Sequence, residues 1–164
     1  MKLITHEKLL ELVHYDPISG IFTARKAWKI KSEGEIIGSP HCEGYLQVTI
    51  EYEKYLLHRL AVFYMTGEWP KEDTDHKNRN RIDNRWENLR EATRGQNMMN
   101  GSLRQDNSTG VKGVCKIKKT GKFEAYVIKD KVKMYLGSFC SIHEAYLMRQ
   151  AVIYAVYGDF ASKG

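Results

Sequence analysis

Residues 75–97 read DHKNRNRIDNRWENLREATRGQN, and this stretch decides both the fold class and the chemistry to expect. It is crowded with Asp, Asn and Arg and nearly devoid of apolar side chains, yet Trp69 lies before it and Leu89 falls within its second half. A segment with so little core of its own has to fold as a tight polar loop or hairpin held by hydrogen bonds. Thr93-Arg94-Gly95-Gln96 has the T-x-x-Q form of a capping box, so a short helix is expected to start there. Asp75 and His76 are adjacent, and their side chains can flank one site where the backbone turns. A carboxylate beside an imidazole suits metal-assisted phosphodiester hydrolysis. The carboxylate holds a hard divalent cation through oxygen, and the neutral imidazole takes a proton from the attacking water. Asn88, just past the loop, is expected to orient the imidazole through a hydrogen bond. Asn97 falls one turn into the short helix, where its side-chain carbonyl can complete a metal shell.

Upstream, residues 5–15 read as an amphipathic helix capped by Thr5, with Leu9, Leu10 and Val13 as its apolar stripe. Asp16-Pro17 with Gly20 marks a turn, and Ile21-Phe22-Thr23 a short strand. Residues 25–43 read as an ordered loop. Residues 44–50 and 54–57 make a hairpin about Glu51-Tyr52-Glu53. A helix over 58–65 ends at Gly67, with Pro70 soon after. Downstream, GSLRQDNSTG is the best linker in the chain. Beyond it come three short strands, 111–118, 122–129 and 132–137, turning at Lys119-Thr120-Gly121 and at Asp130-Lys131. Ser141 then caps a helix to about Tyr157, with apolar positions at Ile142, Ala145, Met148, Val152, Ala155 and Val156. The fold class is therefore α+β. The expected organisation is a domain at 1–100, a linker at 101–109 and a second domain at 110–161.

The net charge is +6, and it is not evenly spread. Residues 1–106 hold 16 basic and 16 acidic side chains, and residues 138–164 hold two of each. The excess sits wholly in 107–137, as Lys112, Lys116, Lys118, Lys119, Lys122, Lys129, Lys131 and Lys133 against Glu124 and Asp130. Such segregation points to one module that meets a polyanion. The three cysteines, Cys42, Cys115 and Cys140, are odd in number and far apart, which excludes a disulfide framework or a cysteine zinc site. No run approaches roughly 18 apolar residues, and the first residues meet charges early, so neither a membrane span nor a secretory leader is expected. A reducing cytoplasm is the expected home.

The string LHRL at 57–60, TGEWP at 66–70, DH at 75–76, IDNRWENLREAT at 82–93 and QN at 96–97 closely resembles the HNH endonuclease motif. The likeness is to small phage and intron-encoded enzymes, and YDPISGIFTAR upstream resembles their leader segment. The resemblance implies a ββα-metal unit, a β-hairpin and a helix around one divalent cation. It implies Asp75 as metal-binding acid, His76 as general base, Asn88 as the residue that positions that base, and Asn97 as the last position of the motif. Asn97 stands where the name-giving pattern has a second His, so the chain is similar to the H-N-N variants. An Asp with an Asn amide is an all-oxygen shell that favours Mg²⁺ or Mn²⁺. Arg59, Arg79, Arg81 and Arg85 are expected to touch backbone phosphates. His58 is expected to be a hydrogen-bonded structural residue.

Residues 108–160 resemble the AP2 DNA-binding domain through Gly113-Val114, Phe123, Ala125, Leu136-Gly137, Phe139, Glu144-Ala145 and Tyr157-Gly158. That implies a three-stranded antiparallel sheet with a helix on one face and DNA on the other. Alternation puts Phe123, Ala125, Val127, Met134 and Leu136 towards the helix. Glu124, Tyr126, Ile128, Lys133 and Tyr135 then face outward. Lys112, Lys116, Lys118, Tyr126, Lys133 and Tyr135 are the DNA-binding candidates, with the lysines on phosphates. The expected function is cutting or nicking of double-stranded DNA by a monomeric, phage homing-type endonuclease in the bacterial cytoplasm. The alternative is a catalytically silent DNA-binding regulator that keeps both folds.

Overall fold

Thr5 accepts a hydrogen bond from the Lys8 amide and starts α1 (His6–Leu12). The computed structural model describes residues 3–28, 31–101, 103, 105–129 and 132–158. The chain leaves α1 sooner than its periodicity suggests. Val13–Tyr15 forms β1, which pairs antiparallel with β2 (Phe22–Ala24), Tyr15 opposite Phe22. Val13, Tyr15, Phe22 and Ala24 are all buried. A β-branched and an aromatic residue gain more from that pleated pairing than from another helical turn.

The stretch expected to be a loop contributes a short strand, β3 (Ser39–Pro40). It lies beside β4 (Leu46–Ile50) and β5 (Glu53–Leu56) in an antiparallel sheet ordered β3-β4-β5. A two-residue turn joins β4 to β5, with both Glu51 (φ 50) and Tyr52 (φ 71) left-handed. Helix α2 (Leu57–Thr66) follows at once and buries Leu57, His58, Leu60, Ala61 and Phe63. Trp69 stacks on Phe63 at 4.3 Å and on Tyr55 at 5.5 Å. Strand β6 (Asp73–His76) pairs antiparallel with β7 (Leu89–Ala92), placing Asp75 opposite Arg90 and His76 opposite Leu89. A 3₁₀ turn at Trp86–Asn88 leads into β7. The polar segment is thus a hairpin, and the core beneath it runs from Ile4 and Leu9 through Ile37 and Ile50 to Leu60 and Leu89.

These elements form one compact unit, residues 1–92, and residues 93–164 form another. The second unit opens with the capping box read from sequence. The Thr93 hydroxyl accepts from the Gln96 amide, the Gln96 side chain accepts from the Thr93 amide, and α3 (Arg94–Asn100) begins. The division falls upstream of the expected 101–109 linker, because the Lys112 ammonium donates to the carbonyls of Met98 (2.6 Å), Met99 (3.0 Å) and Gly101 (2.8 Å) and ties the end of α3 to this unit. Three strands follow, β8 (Val114–Lys116), β9 (Phe123–Lys129) and β10 (Val132–Phe139), in the order β10-β9-β8. The expected turn at Asp130-Lys131 lies outside the described residues, as do residues 159–161 at the end of the expected second domain.

Ser141 and Glu144 make a second capping box at the head of α4 (Ile142–Tyr157). Val114, Ala125 and Ala145 are the heart of this core, with Val111, Phe123, Leu136, Phe139 and Ile142 around them. The buried stripe of α4 differs from the expected one. Ala145, Arg149 and Ile153 are buried, at i, i+4 and i+8, while Met148 and Ala155 are exposed. A bulge between Tyr135 and Gly137 shifts the β9–β10 register.

The turn at Glu51-Tyr52 needs two left-handed residues, a geometry that Asn-Gly adopts with far less strain. Tyr52 is 87% exposed, so the exchange removes little packing. Glu51→Asn with Tyr52→Gly is expected to stabilise the first unit by about 1 kcal/mol, a rise of about 4–8 °C in its thermal midpoint followed by circular dichroism. An unchanged or lowered midpoint would mean that the turn is not under this strain.

Candidate active site

Residues 77–88 leave β6 and return to β7 as a loop closed by its own amides. The Lys77 amide donates to the Asn88 carbonyl at 2.9 Å. The Asn88 side chain reaches both limbs of the loop, its Oδ1 accepting from the Asn78 amide at 3.0 Å and its Nδ2 donating to the Asp83 carbonyl at 2.8 Å. Asn78 and Asn80 make Asx turns onto the amides of Asn80 and Ile82, and Arg79 sits left-handed at φ 65. Asp83 accepts from both Arg85 Nε (2.9 Å) and Nη2 (2.8 Å) and from Asn78 Nδ2 (2.7 Å). The Arg85 guanidinium, above all, holds the Asp83 carboxyl well below the usual carboxylate range. Asn88 therefore does not hold the imidazole, as expected from sequence; it latches the loop.

The residue that meets His76 is Asn84. Its Oδ1 lies 3.3 Å from His76 Nε2, while its Nδ2 donates to the Ile82 carbonyl at 3.5 Å, which fixes the amide oxygen towards the ring. An amide oxygen can only accept, so Nε2 carries the proton and Nδ1 carries the lone pair. Asn84 is itself fixed: it is 2% exposed, and its carbonyl accepts from the Tyr15 hydroxyl at 2.7 Å. The Trp86 amide donates to the Pro17 carbonyl at 3.0 Å. At Gly20 (φ +74) a Cβ would fall 2.5 Å from the Arg85 nitrogen, so only glycine lets the 16–20 turn close on the loop. Nothing in the composition of the loop sets Asn84 apart from Asn78 or Asn80. Its only sequence signal is its place inside IDNRWEN.

Three rings and a guanidinium wall the other side. His58 meets His76 edge-on with centroids 5.1 Å apart, and Tyr45 lies 4.8 Å from His58 and 5.9 Å from His76. Arg81 sits over the Tyr45 ring at 4.9 Å and donates to the Glu43 carbonyl. His58 departs from expectation, because its Nδ1 is buried with no hydrogen-bond partner. Burial, and then the neighbouring His76 and Arg59, push its pKa down to about 3. Burial likewise lowers the pKa of His76, opposed by the Asn84 contact and the Asp75 charge. Both rings are neutral at physiological pH, and a neutral His76 is the form that can take up a proton.

Asp75 is buried beside His76, and Arg90 grips its Oδ2 through Nε and Nη2, each at 2.9 Å. Asp75 belongs to the first unit and Asn97, the other expected ligand, to the second. Their donor chemistry, a carboxylate oxygen and an amide oxygen, fits a hard divalent cation. Among the described residues no group of three or more His, Cys, Asp or Glu side chains gathers to hold a metal.

The expected phosphate contacts divide into two groups. Arg59 donates to the carbonyls of Pro70 (3.0 Å) and Glu72 (3.2 Å), and Arg85 is spent on Asp83 and Glu87. With Arg81 on Tyr45 and Lys112 on three carbonyls, these four cations are structural braces. Arg79, Lys116 and Lys118 are exposed, and Lys133 lies over the Tyr126 ring at 4.2 Å and on Glu124 at 3.1 Å. Tyr135 is 60% exposed on the outer face, paired with Tyr126 across the strands.

Residues 55–99, from β5 into α3, match the model of the HNH endonuclease family, which supports a nuclease-type function. No curated protein and no solved structure matches the chain.

The depressed pKa of His58 has a consequence for stability. Below about pH 6.5 the unfolded chain takes up a proton at His58 that the folded chain refuses down to about 3. Stability is therefore complete above 6.5 and falls with pH across that window, by up to about 1.4 kcal/mol per unit. Nitrogen-detected NMR should show the His58 ring neutral throughout pH 5–8. A His58 titration near 6.5 would overturn the burial argument.

Proposed function

We propose that the chain is a metal-dependent DNA endonuclease of the phage homing type, acting as a monomer, with His76 as its general base. The observation that carries this is the fixed tautomer of His76. Asn84 Oδ1 lies 3.3 Å from Nε2 and assigns the proton to that nitrogen, at a buried imidazole that follows a buried carboxylate in a hairpin of nuclease-family sequence. His76 takes the proton of a water aligned with the scissile phosphorus. A Mg²⁺ or Mn²⁺ ion held through the Asp75 carboxylate would supply charge stabilisation for the phosphate and the departing oxygen. Arg90 fixes the direction of the Asp75 carboxylate, and Asn88 keeps the loop closed around Asn84. Arg79, exposed at the loop tip, is placed for a backbone phosphate.

The second unit is proposed to be AP2-like and to tether the nuclease to double-stranded DNA. Alternation along its strands supports this reading: Ala125 and Val127 are buried, while Ile128, Lys133 and Tyr135 are exposed. The surface lysines supply sequence-independent affinity through phosphates. Among the described residues no helix is long and apolar enough to cross a membrane.

Supercoiled plasmid with Mg²⁺ should be relaxed or linearised by the full chain, and EDTA should stop the reaction. His76→Ala should lower the rate by about 10²–10⁴-fold while DNA binding stays intact. Asp75→Asn should weaken the dependence on Mg²⁺, with partial recovery in Mn²⁺. A His76→Ala rate within tenfold of the parent would place the base elsewhere.

Binding of a duplex oligonucleotide, followed by fluorescence anisotropy across a salt series, tests the tether. Replacing Lys116, Lys118 and Lys133 by Ala should flatten the slope of log affinity against log salt by up to about 0.9 for each phosphate that a lysine no longer meets. An unchanged slope would take these lysines off the DNA.

A further inference from the structure

Arg149 stands in the middle of the buried stripe of α4, between Ala145 and Ile153, where an apolar residue would be expected. It is 4% exposed, and no described residue gives it a hydrogen bond or an ion pair. Its Nε is buried with no partner at all. The backbone makes room for it. At Gly113 (φ +68) a Cβ would fall 2.3 Å from Arg149 Nε and 2.7 Å from the Tyr126 carbonyl, so no other residue fits there. A buried guanidinium without an anion is among the costliest arrangements a core can hold. A core that keeps one, and reserves a glycine for it, is built around an anion that none of its described residues supplies.

The space for that anion is present. Arg149 lines a cavity of about 730 Å³ within the second unit, together with Tyr126, Ile128, Met98 and Met99. That volume lies within the range of small-molecule sites. Asp106 is the one acid on the wall, and it makes no ion pair with Arg149. Lys112 is spent on the carbonyls at the end of α3, and Arg94, also on the wall, adds a second positive charge beside the buried guanidinium of Arg149. Its planar fork matches the oxygens of a phosphate. One ring, two thioethers and an aliphatic side chain suit a flat, weakly polar body beside that phosphate. The surrounding segment holds the whole excess positive charge of the chain, which favours a multiply charged phosphate over a single carboxylate.

We propose that this cavity binds a nucleotide, with its phosphate on Arg149 and its base against Tyr126 and the two methionines. The site is built from residues of the second unit alone and does not rest on the nuclease reading. The phosphate can belong to a free mononucleotide or to a strand of DNA, and the same chemistry recognises both.

Calorimetry of the full chain with deoxyadenosine 5′-monophosphate, deoxyadenosine and inorganic phosphate tests the proposal. One-to-one binding of the monophosphate is expected, at least tenfold tighter than deoxyadenosine. Arg149→Met should abolish it while holding or raising the thermal midpoint of the unliganded chain, because the buried charge is gone. Met98→Trp, at a residue 63% exposed, should fill the cavity and block the nucleotide with Arg149 untouched. If Arg149→Met does not fold, the Met98→Trp result decides: abolished binding supports the site and retained binding overturns it. Absence of monophosphate binding, equal affinity for deoxyadenosine, or full binding by a folded Arg149→Met would each overturn the proposal. Competition by a short duplex names the source: displacement assigns a DNA phosphate, and its failure assigns the free nucleotide.

Discussion

The contact between His76 Nε2 and Asn84 Oδ1 is the constraint on which the first unit's site depends. At 3.3 Å it is not a strong bond, but it decides which ring nitrogen carries the proton. Much of the surrounding structure serves to keep Asn84 where it is. The Tyr15 hydroxyl holds its carbonyl, Pro17 takes the Trp86 amide, and Gly20 lets the two segments touch. Asn88 closes the loop from the other end. The N-terminal strands, far from the hairpin in sequence, thereby act on the imidazole through a single asparagine.

The electrostatics follow from the same burial. His58 and His76 are packed ring to ring under Tyr45, and both are held neutral by the loss of water. Asp75 is buried, and Arg90 pairs with it through two donors. A neutral imidazole beside a compensated carboxylate is a polar arrangement that a small core can tolerate. The second unit accepts a different cost in Arg149, whose buried Nε finds no partner among the described residues.

Much of this is legible in the sequence, where local rules decide structure. The capping boxes at Thr93 and Ser141, the hairpin around Glu51-Tyr52 and the three C-terminal strands all follow from short-range chemistry. Helix α1 reads too long in the sequence because Val13 and Tyr15 answer to β2, eleven and seven residues away in register with Ala24 and Phe22. Asn84 stays hidden because four asparagines share one loop, and only the tertiary contact with His76 sets it apart. Arg149 stays hidden because an apolar pattern cannot announce a buried cation. The partners of Arg85 and Lys112 within the fold stay hidden because a surface charge and a brace look alike in sequence.

The direct test is a double-mutant cycle on plasmid cleavage with Mg²⁺, using the parent chain, Asn84→Ala, His76→Ala and the pair. If Asn84 acts through the imidazole, Asn84→Ala lowers the rate by tenfold or more in the parent and changes nothing further once His76 is gone. Equal and additive losses in both backgrounds would contradict the account, since Asn84 would then be acting on something other than His76.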